Sequence, residues 1–256
     1  MTMLSEPIGA LAVAPVTLSI VSHGQGSMLK ELLKDIKEGI DTDYHVILTL
    51  NIPEDEAFLA SFSTMPIQVI RNSQAQGFGQ NHNQAFRQSQ SPVFVIVNPD
   101  IRGIPFALTP LLQALEPEGV GAVGPQITSS LGHPQDSARH YPTMSNLLAR
   151  HCLSRQQPDY VLGNTPVPVD WVAGMLIAFK SSAYRAVGGF DEGYFMYVED
   201  ADIAWRLKLA GYQTLWVPSA CFIHDAQHGS RKKARYLMWH LHSMARFLLK
   251  RMYSNL

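Results

Sequence analysis

The run Val93-Phe94-Val95-Ile96-Val97, followed at once by Asn98-Pro99-Asp100, decides the fold. Five successive apolar residues leave no polar face, so the strand they form must be covered on both sides. That is the situation of a strand inside a parallel sheet with helices on each face. Working outward, the upstream text alternates strand and helix signals. A strand over Val16–Ser22 is followed by Gly24 and Gly26 and by a helix from about Ser27, with Leu29, Leu32, Leu33 and Ile36 at helical spacing and Gly39 as its stop. A second strand covers Tyr44–Leu50 and is closed by Asn51 and Pro53; a short helix spans Glu54–Phe62 and a third strand Ile67–Arg71. The Gln- and Asn-rich stretch Asn72–Ser91 carries a helix over about Gln80–Gln88. Strands alternating with helices give right-handed crossovers and a mostly parallel, Rossmann-like sheet flanked by helices.

Downstream, a helix over Phe106–Leu115 and a strand over Val120–Val123 extend the pattern. Between Thr128 and Pro168 five prolines interrupt it, which reads as a lobe of loops, partly helical around Ser145–Leu153. A strand over Trp171–Phe179, helices over Ser181–Val187 and Asp200–Ala210, and a strand around Thr214–Val217 complete the body. Residues 1–230 therefore read as one domain and 231–256 as a basic amphipathic C-terminal helix.

Composition narrows the function. The 20 Lys+Arg nearly balance the 21 Asp+Glu, for a net charge of −1, which argues against nucleic acid as a partner. Apolar residues make up 46% of the chain, ample for a full core. Two cysteines, Cys152 and Cys221, read as reduced and buried, consistent with a reducing compartment. The apolar stretch Ile8–Val16 has no preceding Lys or Arg and is broken by Pro15, so it lacks the form of a signal peptide. With no transmembrane-length apolar run, the expected location is the cytoplasm.

In open α/β sheets, ligands bind beyond the carboxyl ends of the strands. Three polar segments fall there: Ser22-His23-Gly24 after the first strand, Asn98-Pro99-Asp100 after the buried one, and Glu199-Asp200-Ala201-Asp202 at a helix start. The first two are also ordinary turn chemistry. The third places three carboxylates within four residues, a repulsion that a cation or a helix N-terminus must offset.

The segment Val187–Arg206, VGGFDEGYFMYVEDADIAWR, resembles the signature of bacterial family-2 glycosyltransferases of the rhamnosyltransferase type. Trp171-Val172-Ala173-Gly174 is similar to the tryptophan–glycine element that precedes it, and Asn98-Pro99-Asp100 to the family's Asn-x-Asp metal motif. Asn72 through Asn83, with Gly77-Phe78-Gly79, is similar to the stretch before that strand. The resemblance implies a GT-A fold, a nucleotide-diphosphate sugar donor, a divalent cation and inversion at the anomeric carbon. It implies dTDP-rhamnose as donor and a cell-surface glycan precursor, lipid-linked or not, as acceptor. Two elements depart from the family: Ser22-His23-Gly24 replaces a polar triplet, and Leu50-Asn51 stands where an Asp-Asn pair is usual. A hexose from a UDP donor therefore stays open. A nucleotidyltransferase would need a cationic phosphate loop, which Ser22–Gly26 lacks, and a non-catalytic sugar-nucleotide-binding subunit is a further alternative.

On this reading Asp100 is the first ligand for Mg²⁺ or Mn²⁺, and His224 is either a second ligand, which favours Mn²⁺, or a hydrogen-bonded loop residue. Asp200 is implied as the base, with Glu199 beside it. Mutual repulsion of these carboxylates predicts a raised pKa, suited to proton abstraction. Asp191, Asp202 and Arg206 are expected to position the acceptor or the helix, Arg206 alternatively pairing with a phosphate. Ser22, His23, Gly24, Asn51, Asn72, Gly77, Phe78, Asn83, Asn98, Trp171 and Gly174 are expected around the nucleotide sugar; Trp171 alternatively belongs to the core. In the tail, Arg231, Lys232, Lys233 and Arg235 precede a stripe of Leu237, Leu241, Met244, Ala245, Leu248, Leu249 and Met252. That stripe fits peripheral contact with the cytoplasmic membrane face, packing on the domain, or a homodimer. His240, His242 and Arg246 would then face solvent.

Overall fold

A computed structural model describes residues 15–143, 159–160, 163–224 and 233–254. The chain runs β1 (Val16–Ser22), α1 (Gly26–Gly39), β2 (Tyr44–Leu50), a 3₁₀ turn (Ala57–Phe62), β3 (Ile67–Arg71), α2 (Phe78–Phe86) and β4 (Val93–Val97). Then follow β5 (Ile101–Arg102), α3 (Thr109–Leu115), β6 (Val120–Thr128), β7 (Ala138–Arg139), β8 (Val167–Val169), β9 (Trp171–Val172) and β10 (Leu176–Lys180). The last elements are α4 (Ser181–Ala186), α5 (Glu199–Leu209), β11 (Gln213–His224) and α6 (Lys233–Ser254).

The main sheet has the order β3-β2-β1-β4-β10-β6-β11-β5, with β8 on the flank of β11. From β3 to β4 every pairing is parallel, as the continuous apolar strands predict. The other half is mixed: β10 is antiparallel to both neighbours, while β6 and β11 run parallel. Because the chain moves outward from β1 to β3 and returns on the far side as β4, the order reverses between β1 and β4. Ile20 pairs with Val97, so the loops after both strands leave at one level, above the crevice where α/β sheets bind ligands.

Helix α1 buries Leu29, Leu32, Leu33 and Ile36 against one face of the sheet, the four positions that the spacing picks out. It ends at Gly39 because a Cβ there would lie 2.7 Å from the Phe106 nitrogen. The other face carries a second core around Phe94, Phe179, Tyr184, Phe190 and Trp216. A third cluster joins Tyr141, Trp171, Tyr194, Trp205 and Phe247, tying α6 to the body.

Several expectations shift. Glu54–Phe62 is a 3₁₀ turn over its second half, and the Phe106–Leu115 helix begins only at Thr109, with Phe106 and Leu108 filling the core instead. Trp171–Phe179 is two strands broken at Ala173-Gly174-Met175, and the Thr214–Val217 strand is part of the twelve-residue β11. Cys221 is exposed, because it alternates outward along β11 beside the buried Phe222. The helix expected around Ser145–Leu153, and Cys152 with it, lie outside the described residues.

Candidate active site

Three elements converge above the β1/β4 switch point. After β4, the Asn98 N–H donates to the Met175 carbonyl at 2.9 Å. One residue earlier in that turn, the Gly174 N–H donates to Asp200 Oδ2, also at 2.9 Å. The break between β9 and β10 thus has a use. It frees a backbone acceptor, the Met175 carbonyl, for one side of the site and a donor, the Gly174 N–H, for the other, linking the Asn98-Pro99-Asp100 loop to the start of α5.

Asp200 also accepts the Ala201 N–H on Oδ1 at 2.9 Å, so both its oxygens face backbone donors at a helix N-terminus. Burial pushes its pKa up, while those N–H groups and the charge of Arg139 pull the other way. Glu199 is buried, and its Oε2 has no hydrogen-bond partner among the described residues. Burial first, and Asp200 second, push its pKa up to about 8. Two adjacent buried carboxyls cannot both ionise cheaply, and the one supplied with N–H donors keeps the charge. Within the pair the N–H donors favour the charge on Asp200, and the unpartnered Glu199 favours the proton.

Across the turn, His224 at the end of β11 reaches Asp100, Nε2 to Oδ2 at 3.1 Å. Gln135 fixes the imidazole: its Nε2 donates to the His224 carbonyl, and its Oε1 faces Nδ1 at 3.0 Å. With Nδ1 turned to Gln135, the Nε2 edge is held against the Asp100 carboxylate, where the two could share a cation. Asp100 Oδ1 is buried without a partner among the described residues. An unpartnered carboxylate oxygen beside an imidazole nitrogen fits a divalent cation that completes its shell with phosphate oxygens. No group of three or more His, Cys, Asp or Glu gathers as a cage among the described residues, so such an ion would rely on the donor for ligands.

The remaining expected residues divide. Ser22, His23, Gly24 and Asn51 lie together at the ends of β1 and β2, where Asn51 Nδ2 lies 3.3 Å from His23 Nδ1. Asn51 and Asn72 are buried, however, and joined to each other and to Asn81. Asn51 Oδ1 accepts from the Gln76 N–H and its Nδ2 donates to the Gln76 carbonyl, so the asparagines shape the 72–77 loop instead of presenting free amides. Gly77 and Phe78 sit where this loop meets the 194–195 backbone: the Phe78 N–H donates to the Phe195 carbonyl, and a Cβ on Gly77 would lie 2.9 Å from that oxygen. Asn83 is spent elsewhere, donating to the Phe190 carbonyl and Glu192 and accepting from the Tyr184 hydroxyl and the Phe190 N–H. Trp171 is buried in the third core cluster, its indole N–H on the His140 carbonyl.

Asp191, Asp202 and Arg206 are engaged in structure. Asp202 receives Arg206 at 2.7 Å, Lys250 at 2.6 Å and the Tyr194 hydroxyl at 3.2 Å. Asp191 receives Arg246 and Lys250 from α6. Arg246 therefore faces the domain instead of solvent, drawn in by the partly buried Asp191 carboxylate. Arg206 also donates to the Val187 and Gly189 carbonyls, leaving the glycine turn capped by its guanidinium. Between these pairs, Tyr197 and Val198 hold left-handed φ angles of 73° and 69° directly before Glu199. Non-glycine residues pay for this conformation, so it persists where surroundings hold it. Helix α6 supplies the holding: Ser243 Oγ donates to the Met196 carbonyl, and Trp239 and His240 pack on Phe195 and Tyr197.

Sequence reading missed Arg139, Gln135 and Asn81. Arg139 lies over the Trp171 ring and adds charge beside Asp200, but a single arginine in a proline-rich stretch carries no signal.

Residues 17–177 match the family model described as Glycosyl transferase family 2. The chain belongs to that family. It is 30% identical to rhamnosyltransferase WbbL of Escherichia coli K12, covering 94% of this chain and 95% of that protein. It is 28% identical to the N-acetylglucosaminyl-diphospho-decaprenol L-rhamnosyltransferase of Mycobacterium tuberculosis, covering 90% of this chain and 83% of the relative. Among solved structures, GalNAc-T7 with UDP, GalNAc and Mn²⁺ superposes with a TM-score of 0.65 at 16% identity, over 83% of this chain and 43% of that longer one. The Pyrobaculum calidifontis mannosyltransferase with GDP-Man and Mn²⁺ gives 0.62 at 17% identity, over 93% and 65%. The expected GT-A fold and glycosyltransferase activity hold.

Proposed function

We propose that this glycosyltransferase is inverting and cation-dependent, and moves rhamnose from dTDP-rhamnose to a hydroxyl of a cell-surface glycan precursor carried on lipid. The observation that carries the reading is the Asp200 carboxylate, which accepts the Gly174 and Ala201 N–H groups beside Glu199, whose pKa burial raises to about 8. Asp200 takes the proton of the acceptor hydroxyl as its oxygen bonds to the anomeric carbon. The bond from that carbon to the diphosphate breaks on the opposite face, its electron pair leaving with the diphosphate; a single displacement inverts the centre. Asp100 and His224 would hold the divalent cation, which supplies positive charge to the diphosphate as it leaves. Support for rhamnose comes from the names of both relatives above, and support for a lipid-linked acceptor from that of the Mycobacterium tuberculosis relative.

A UDP-hexose donor is the second reading, favoured by the departure at Leu50-Asn51, where Asn51 is committed to the 72–77 loop. Thermal shift against a panel of dTDP- and UDP-sugars, with and without Mn²⁺, separates the two. The proposal expects stabilisation by dTDP-rhamnose only with the cation, and loss of that dependence in Asp100→Ala with an unchanged ligand-free melt. Stabilisation by UDP-sugars alone rejects the donor. Equal Mn²⁺ dependence in Asp100→Ala rejects the metal assignment.

A further inference from the structure

Helix α6 is inverted relative to an ordinary docked amphipathic helix. The side facing the body is built from Ser243, Arg246, Phe247 and Lys250, whose polar groups meet Met196, Asp191 and Asp202. The opposite side carries Leu237, Met238, Leu241, Leu249 and Met252, each more than half exposed. At 3.6 residues per turn these five positions, with Ala245 between them, fall on one arc of roughly 120° that includes no charged residue. A contiguous exposed apolar face of this kind marks a contact surface. No helix among the described residues is long and apolar enough to cross a membrane.

Charge identifies the occupant. Residues 231–256 contain seven Lys or Arg and no Asp or Glu. Arg246 and Lys250 are matched by Asp191 and Asp202, and Arg251 lies over Tyr141 and Trp205, which leaves the sequence cluster Arg231, Lys232, Lys233 and Arg235 as the segment's remaining cationic group. Two copies meeting through this face would bring together two segments of like charge. An anionic lipid surface offers the opposite: phosphate charge for the basic residues and an acyl boundary for the leucines.

We infer that α6 seats the protein on an anionic lipid surface through its Leu237–Met252 face. The helix lies in the plane of the interface with its apolar arc in the acyl boundary and Arg235 at the headgroups. Its inner side, meanwhile, continues to hold the 194–198 loop. The docking requires no nucleotide sugar, so it stands or falls independently of the donor and metal assignments.

Co-sedimentation of the full chain with vesicles tests it, comparing mixed phosphatidylcholine–phosphatidylglycerol with phosphatidylcholine alone at low and high salt. Binding is expected to require phosphatidylglycerol and to weaken as salt screens the charges. Combined L241S, L249S and M252S substitutions lie on exposed positions; they are expected to keep the parental melt and to weaken binding at least about tenfold. Replacing Arg231, Lys232, Lys233 and Arg235 with Gln is expected to weaken it by about fivefold per charge at low salt. This second variant keeps the test in force should the first one melt early. Equal binding to neutral vesicles, no binding to anionic ones, or parental binding by the apolar variant overturns the inference. So does a dimer in sedimentation equilibrium that the apolar variant converts to monomer without any lipid binding.

Discussion

Four carboxylates within twelve residues have opposite fates. Asp191 and Asp202 are matched with Arg206, Arg246 and Lys250, and their chemistry ends in those ion pairs. Glu199 and Asp200, lying between them in sequence, are met by backbone N–H groups and by each other. Burial alone would raise the Asp191 pKa, yet Lys250, the Gly193 N–H and Arg246 outweigh it and hold the carboxyl at about 2. Deeper burial at Glu199, unopposed by a cation, gives about 8. What separates the cation-paired carboxylates from the others here is in large part a helix arriving from some fifty residues downstream.

The largest expected effect falls on the unpaired side. Asp200→Asn keeps the shape and the acceptor atom for Gly174 but cannot take a proton. Turnover is expected to drop by about 10²–10⁴-fold, the usual worth of a positioned base. Donor affinity and melting temperature should stay near the parent's. Steady-state kinetics beside a thermal melt check both, and turnover within a few fold of the parent moves the base elsewhere.

Asp202→Asn is the counterpart on the paired side. It leaves Arg206 and Lys250 facing a neutral amide at a nearly inaccessible position. Breaking a buried pair by removing one partner costs about 3 kcal/mol or more. Chemical denaturation is expected to show that loss, with turnover per folded molecule changed far less than in Asp200→Asn. If Asp202→Asn melts like the parent yet loses turnover, the division between the two pairs of carboxylates fails.

How much of this was legible in the sequence depends on what each residue's partner is. β1 to β4 were readable because buried parallel strands need nothing but their own apolar runs. The break at Ala173-Gly174-Met175 was not, since both flanking strands are apolar and its purpose lies in Asp200, far along the chain. The Asn98-Pro99-Asp100 and Glu199-Asp200 segments were legible as neighbours at the crevice because each ends or begins an element there. Asn83 and Trp171 were misdirected for the reverse reason: a buried amide or indole satisfied by distant backbone looks, in sequence, like one available for a ligand. Helix α6 shows the same limit. Its periodicity located the apolar stripe but not which side the body would claim, because that was settled by Asp191 and Asp202 requiring cations.

A smaller effect should appear as a pH dependence at Glu199. Its folded pKa is raised above the ordinary 4.5, so the folded state binds the extra proton. That contribution to stability is complete below about pH 4.5 and is lost as pH rises through about 8. The parent's melting temperature is expected to fall across this window, and Glu199→Gln, permanently neutral, to flatten the fall. Identical pH profiles in the two proteins would mean that Glu199 is ionised when folded.

The smallest expected effect tests the opposite sign on the paired side. Asp191 has a folded pKa lowered from 3.8 to about 2, so the stability it contributes is present above pH 3.8 and is lost as pH falls through 2. Lys250→Met removes one of the two α6 cations that hold it down, together with the Lys250 contact to Asp202, which keeps Arg206 as its cation. Lys250 is about one-third exposed, so solvent screens much of the interaction, and about 1 kcal/mol is the appropriate scale. For a chain of this size that corresponds to about 2–4 °C. The deficit of Lys250→Met against the parent should be steady from neutral pH down to about 4 and then shrink towards pH 2, as Asp191 protonates in both. Because α6 holds Tyr197 and Val198 in place beside Glu199, loosening it should also lower kcat modestly while leaving the donor KM unchanged. A deficit that grows below pH 4 would show that Lys250 does not draw its worth from Asp191, and the contrast between matched and unmatched carboxylates would then need another cause.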